Sequence, residues 1–151
     1  MMQSKRIDPL LRRAQEQEDK VARDLAERQR MLETHQSRLE ELRRYAEEYA
    51  SSQMAGTSAV ALSNRRAFLD RLDSAVQQQT QTVENNRAKV EAERTRLLLA
   101  SREKQVLEQL AASYRAQENK VVERRDQREM DDLGARRVRL ARVEDSHGDA
   151  P

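Results

Sequence analysis

Side chains that could move protons or hold a reactive group are few and scattered in this chain. It has two histidines, His35 and His147, and no cysteine, so a thiolate nucleophile, a disulfide framework and a thiolate metal site are all excluded. The acidic pairs Glu40/Glu41, Glu47/Glu48 and Asp131/Asp132 offer two carboxylates each. Neighbours on a helix point about 100° apart, however, and cannot converge on one bond as a general acid and base must. No glycine-rich loop is present to cradle a phosphate, and no residue spacing matches a metal ligand set or a nucleophile with its base. The expectation is a chain without catalytic residue, metal or cofactor.

Binding chemistry is richer. Arg124, Arg125 and Arg128, then Arg136, Arg137, Arg139 and Arg142, are phosphate-binding in type. Glu123, Asp126, Glu129, Asp131 and Asp132 interrupt them, and 29 basic against 27 acidic residues leave a net charge of only +2. No positive stripe of the kind that holds nucleic acid is expected. The segment Met1–Pro9 lacks the apolar run of a signal peptide, and the longest aliphatic run, Leu97–Ala100, is far too short to span a bilayer. A cytoplasmic chain, with no direct grip on a membrane, is the reading. The aromatic residues stand out by position: Tyr45, Tyr49 and Phe68 flank one short region, accompanied by Leu42, Leu72 and Ala75. Leu42, Tyr49 and Leu72 fit core packing, whereas Tyr45 and Phe68 fall one residue off the apolar seam. Their rings are expected to be at least half exposed, as protein-binding anchors are.

The elements that position these residues follow from composition and spacing. Charged residues make up 37% of the chain and apolar ones 36%, so burial must run along a thin seam rather than through a thick core. Glycine occurs three times and proline twice, while Ala, Leu, Glu, Gln, Lys and Arg, all good helix formers, fill the rest. Asp8-Pro9 suits a helix start, with Asp as cap and Pro at the first turn. From there Leu11, Ala14, Glu18, Val21, Leu25, Arg28, Leu32, His35, Leu39, Leu42, Ala46 and Tyr49 alternate three and four residues apart, the spacing of a left-handed coiled coil. Residues 50–61 carry no charge and contain Gly56, which marks a turn whose Ser and Thr residues can cap the next helix. Leu62, Leu69, Val76, Val83, Val90 and Leu97 then recur every seven residues, with a weaker companion set from Arg65 through Val121.

The fold class expected is all-α: an antiparallel two-helix coiled-coil hairpin with an overhanging C-terminal helix segment. The single domain spans 1–142, with helix one about 9–50, turn 51–61, helix two about 62–134, and a disordered tail at 143–151. Partners in helix one reach only to about residue 105, so 106–135 overhangs. The register preferred pairs Leu42 with Val76, Val21 with Leu97 and Leu11 with Leu107, because pairing Leu42 with Leu69 would face Glu18 with Glu93. With the seam satisfied inside one chain, a monomer is expected in isolation.

Several blocks resemble the flagellar FliJ family of type III export. They are Leu10, Leu11, Ala14, Ala22 and Leu25; Leu39, Leu42, Tyr45, Glu48 and Tyr49; Ser63-Asn64-Arg65; Phe68, Leu69, Leu72 and Ala75; Arg102-Glu103-Lys104 with Leu107; and Asp126-Gln127 with Met130-Asp131-Asp132. They occur in the family's order over roughly 10–135; Arg38 and the second Asp of 131–132 depart from its pattern. The resemblance implies a cytoplasmic export component similar to the central stalk of rotary ATPases. It would dock in a FliI-type export ATPase hexamer, reach an FlhA-type export gate, handle export chaperones, and meet the membrane only through these partners. Carried over by position, the gate-binding residues would be Leu42, Tyr45, Tyr49, Phe68, Leu72 and Ala75. The ATPase-binding residues would be Leu11, Ala14, Val21, Asp126, Gln127, Met130 and Asp131. The alternatives are a coiled-coil component of a virulence-type secretion system and a generic coiled-coil scaffold or adaptor.

Overall fold

The computed structural model describes residues 3–52 and 58–147, which form two helices: α1, Gln3–Ser51, and α2, Ala59–His147. The two long helices pack against each other as an all-α hairpin without strands among the described residues. Of the expected turn at 51–61, Ser51 and Ala59–Ala61 are helical, while 53–57 lie outside the described residues. Ser58 caps α2: its hydroxyl accepts the Ala61 N–H at 3.2 Å and its carbonyl the Leu62 N–H at 3.1 Å.

Both helices exceed their expected bounds. α1 starts at Gln3 rather than near residue 9, with Pro9 inside it. Its first turn is satisfied from α2, since Ser4 donates its backbone N–H to Glu118 Oε1 at 3.1 Å and its hydroxyl to Oε2 at 2.6 Å. Pro9 costs little there: the bond it cannot make would go to the Lys5 carbonyl, and both residues are exposed, so water can serve that group. α2 continues through Gly134 to His147, so Val143–His147 is helix rather than tail; 148–151 lie outside the described residues. One glycine costs a helix about 1 kcal/mol, too little to stop an element whose other residues favour it.

The chain divides into two compact units. In the unit Ala14–Glu103, the seam buries Val21 and Leu39 from α1 and Leu72, Val83, Val90 and Ala100 from α2. Leu25, Leu32, Leu42, Leu69, Val76 and Leu97 are half-buried beside them. The companion set on α2 is therefore buried more deeply than its polar letters suggested, while Leu62 is exposed and begins no seam. The polar seam residues are satisfied. Buried Asn86 donates to the Thr82 carbonyl at 2.8 Å, and Gln79 Nε2 donates to the His35 carbonyl at 3.0 Å and lies 3.2 Å from His35 Nδ1. Tyr49 meets Phe68, and Arg96 reaches Asp24 at 3.9 Å across the two helices.

The unit of Met1–Arg13 with Lys104–Pro151 buries Ile7 and Ala111, with Leu11, Leu107 and Tyr114 half-buried. Arg115 bridges to Asp8 at 3.3 Å across the two helices. Because α1 begins earlier than expected, pairing extends to Glu118 instead of ending near 105, and the overhang starts after it. Every residue from Asn119 to Ser146 is exposed.

Candidate functional site

In the unit Ala14–Glu103 the aromatic residues assemble at the end of α1 and the start of α2. Phe68 lies between the two tyrosines. Its ring is edge-on to Tyr49 at 4.6 Å and 61°, and to Tyr45 at 6.4 Å and 83°. Such edge-to-face contacts favour a fixed arrangement. The off-seam position of Phe68 predicts a ring at least half exposed, yet the structure covers more than half of it, because both tyrosines lean over it. Tyr45 remains 51% exposed, as its off-seam position requires. Leu72 is buried, and Leu42, Tyr49 and Ala75 are half-buried. Beside them, an open groove of about 370 Å³ lies between Arg38, Glu41, Leu42, Tyr45 and Gln79. Of the six aromatic-cluster residues, Tyr45 thus offers the most surface.

A residue that the periodicity undervalued holds this cluster. Arg65 stands at a weak companion position, but its Nη2 lies 3.2, 3.0 and 2.7 Å from the carbonyls of Tyr49, Ala50 and Ser52, closing the C-terminus of α1. Its guanidinium also sits 6.0 Å from the Tyr49 ring centre, in cation–π range. The signal in the sequence was the arginine itself: a charge at a seam position beside a helix end needs acceptors, and the unpaired carbonyls there supply them.

In the unit of Met1–Arg13 with Lys104–Pro151, Asp126, Gln127, Met130 and Asp131 are all exposed on α2 past its contact with α1. Gln127 donates to Asp131 at 3.1 Å. Leu11, half-buried, belongs to the paired part of this unit. Ala14 and Val21 belong to the other unit. Val21 is 1% exposed and packs wholly within the seam, so it presents no surface and drops out of the contact set. A helix start at Pro9 leaves out Ser4 and Ile7, although Ser4, Ile7 and Leu11 continue the spacing of three and four backwards from Ala14.

The Ser4 hydrogen bonds hold the Glu118 carboxyl below the usual carboxylate range: its hydroxyl contributes most, its backbone N–H next, with partial desolvation opposing them. A groove of about 520 Å³ adjoins this cap, between Gln3 and Tyr114, Val121 and Val122. Among the described residues no three His, Asp or Glu side chains are placed to hold a metal ion, and no helix is long and apolar enough to cross a membrane. The arrangement can bind proteins through exposed rings and helix faces.

Neither the curated proteins nor the solved structures include a match to this chain. The family model described as "Flagellar FliJ protein" matches residues 3–142, a span that takes in all of α1 and all but the last residues of α2. With that match over nearly its whole length, and the helical hairpin beneath it, the chain belongs to the FliJ family of flagellar proteins.

Proposed function

We propose that this FliJ-family chain, a component of flagellar type III export, is a stalk-like coupling factor of the apparatus with no catalytic residue of its own. It contacts the FliI-type export ATPase hexamer through the exposed stretch Asp126, Gln127, Met130 and Asp131, together with Leu11. It contacts the FlhA-type export gate through the aromatic cluster, and handles export chaperones. Its place is the cytoplasmic face of the membrane, reached through these partners alone.

The observation that carries this reading is the Tyr45 ring, half exposed and held against Phe68 at 6.4 Å beside an open groove. A large ring kept rigid in solvent loses little freedom on binding, which is what makes such residues anchors. The family supports the export role, and the exposed acids of the overhang support contact with a positively charged partner surface.

The test is the hydrolysis rate of the purified export ATPase with and without this chain, under conditions in which the hexamer assembles. A rate that rises with added chain, and rises less with Asp126→Lys and Asp131→Lys, is the expected result. An ATPase indifferent to the chain would remove the coupling role.

A further inference from the structure

Past Glu118, α2 continues without α1, and four of its exposed apolar residues share a side, while Val121, Val138 and Val143 lie elsewhere around the axis. Val122, Met130, Leu133 and Leu140 are between 46% and 68% exposed. At 3.6 residues per turn they fall within about 80° of one another around the axis. Charge reverses halfway along the same stretch. Over 123–132 the acids Glu123, Asp126, Glu129, Asp131 and Asp132 outnumber the bases, whereas 133–143 holds Arg136, Arg137, Arg139 and Arg142 and no acid. Among the described residues Arg125–Glu129, 3.8 Å apart and exposed, is the ion pair on this stretch, and none joins those last four arginines to another described residue.

We propose that this segment pairs with the same segment of a second copy of the chain, antiparallel about a two-fold axis between Met130 and Leu133. A two-fold contact requires a self-complementary surface, and the sequence supplies one: an acidic half and a basic half placed evenly about an apolar centre. In this pairing Val122 lies within one residue of the level of Leu140 of the second copy, and Met130 and Leu133 of both copies fill the middle, so self-association and the ATPase contact of Asp126 and Met130 exclude each other. Asp126 and Glu129 face Arg136 and Arg137 of the second copy, and symmetry makes each pair twice. Glu129 and Arg136 flank the apolar stripe on the same side, where residues of an antiparallel coiled coil meet across the seam. A parallel pairing would set arginine against arginine and is disfavoured. The expectation of a monomer rests on the seam within residues 14–103, where Val21, Leu39, Leu72, Val83, Val90 and Ala100 are buried; the overhang lies outside that argument.

Sedimentation equilibrium of the full chain, from low micromolar to near-millimolar concentration, tests this. A reversible monomer–dimer equilibrium is expected, weakened by about tenfold or more in Leu133→Asp. Glu129→Arg and Arg136→Glu each weaken it as well. Mixing those two variants restores association, because every cross-copy contact then sets an arginine against a glutamate. The substituted residues are exposed and touch nothing on α1, so helicity by circular dichroism stays unchanged. A chain that remains monomeric throughout overturns the proposal and leaves this face to a different protein. A dimer indifferent to all three substitutions overturns it too, since the contact would then lie elsewhere.

Discussion

Tyr45 and Phe68 sit equally far from the apolar seam by sequence, and the structure gives them different work. Phe68 touches both tyrosines and is more than half covered; Tyr45 caps the group from solvent. Phe68→Ala therefore removes both edge-to-face contacts and is expected to cost about 2–3 kcal/mol of stability in urea unfolding. Tyr45→Ala should stay within about 0.5 kcal/mol, as exposed substitutions do, while weakening binding to the purified gate. A loss of stability in Tyr45→Ala as large as in Phe68→Ala would make both rings core. Glu118 is the other residue with a measurable signature. Its folded pKa is lowered by the Ser4 hydrogen bonds, so its stabilisation is fully present above the ordinary glutamate value, about 4.3, and fades as pH falls through that value towards the lower one. Amide exchange in the first turns of α1 is expected to be faster in Glu118→Gln than in the native chain at neutral pH. The difference should close in acid. A gap unchanged between neutral and acid pH would mean the carboxylate charge is not what holds the turn.

Both ends of α1 and the start of α2 are finished by a side chain from the other helix or from the residue just before the helix. Ser58 caps the start of α2 locally, which its position just before the helix makes readable. Arg65 closes the end of α1, and Glu118 its beginning, across 13–16 and 114 residues of chain respectively. Arg65→Ala is expected to fray the last turn of α1, with a loss of about 1.5–3 kcal/mol for hydrogen bonds from a charged donor. Faster amide exchange over residues 46–51 would report it. Arg65→Lys should recover only part, since an ammonium cannot reach several carbonyls and a ring with one planar group. Deeper in the seam, Val90→Ala removes two methyl groups from a residue 2% exposed, at a cost on the order of 2 kcal/mol.

Across the chain, stability rests on the seam rather than on its many charges. Two ion pairs that join the helices, Arg96–Asp24 at 3.9 Å and Arg115–Asp8 at 3.3 Å, are both substantially exposed. Exposed pairs contribute about 0–1 kcal/mol and are screened by salt. The urea midpoint is accordingly expected to change little between low and high sodium chloride; a steep fall would show that charge carries the fold. What the sequence by itself determined is the class of structure and the family: two helices, their seam positions from Leu11 to Tyr49, the scarcity of helix breakers, and the ordered blocks shared with FliJ proteins. These are repeating, local properties, and a period of three and four residues survives in the letters. What only the tertiary structure decided is where the helices begin, how far they pair, and which off-seam ring is covered. Gln3 can start α1 because a carboxylate 114 positions away from Ser4 satisfies its first turn, and Phe68 is covered because two tyrosines of the other helix lie over it. Hydrogen bonds and ring contacts between distant segments leave no periodic trace along the chain, so they become visible only once the helices are side by side.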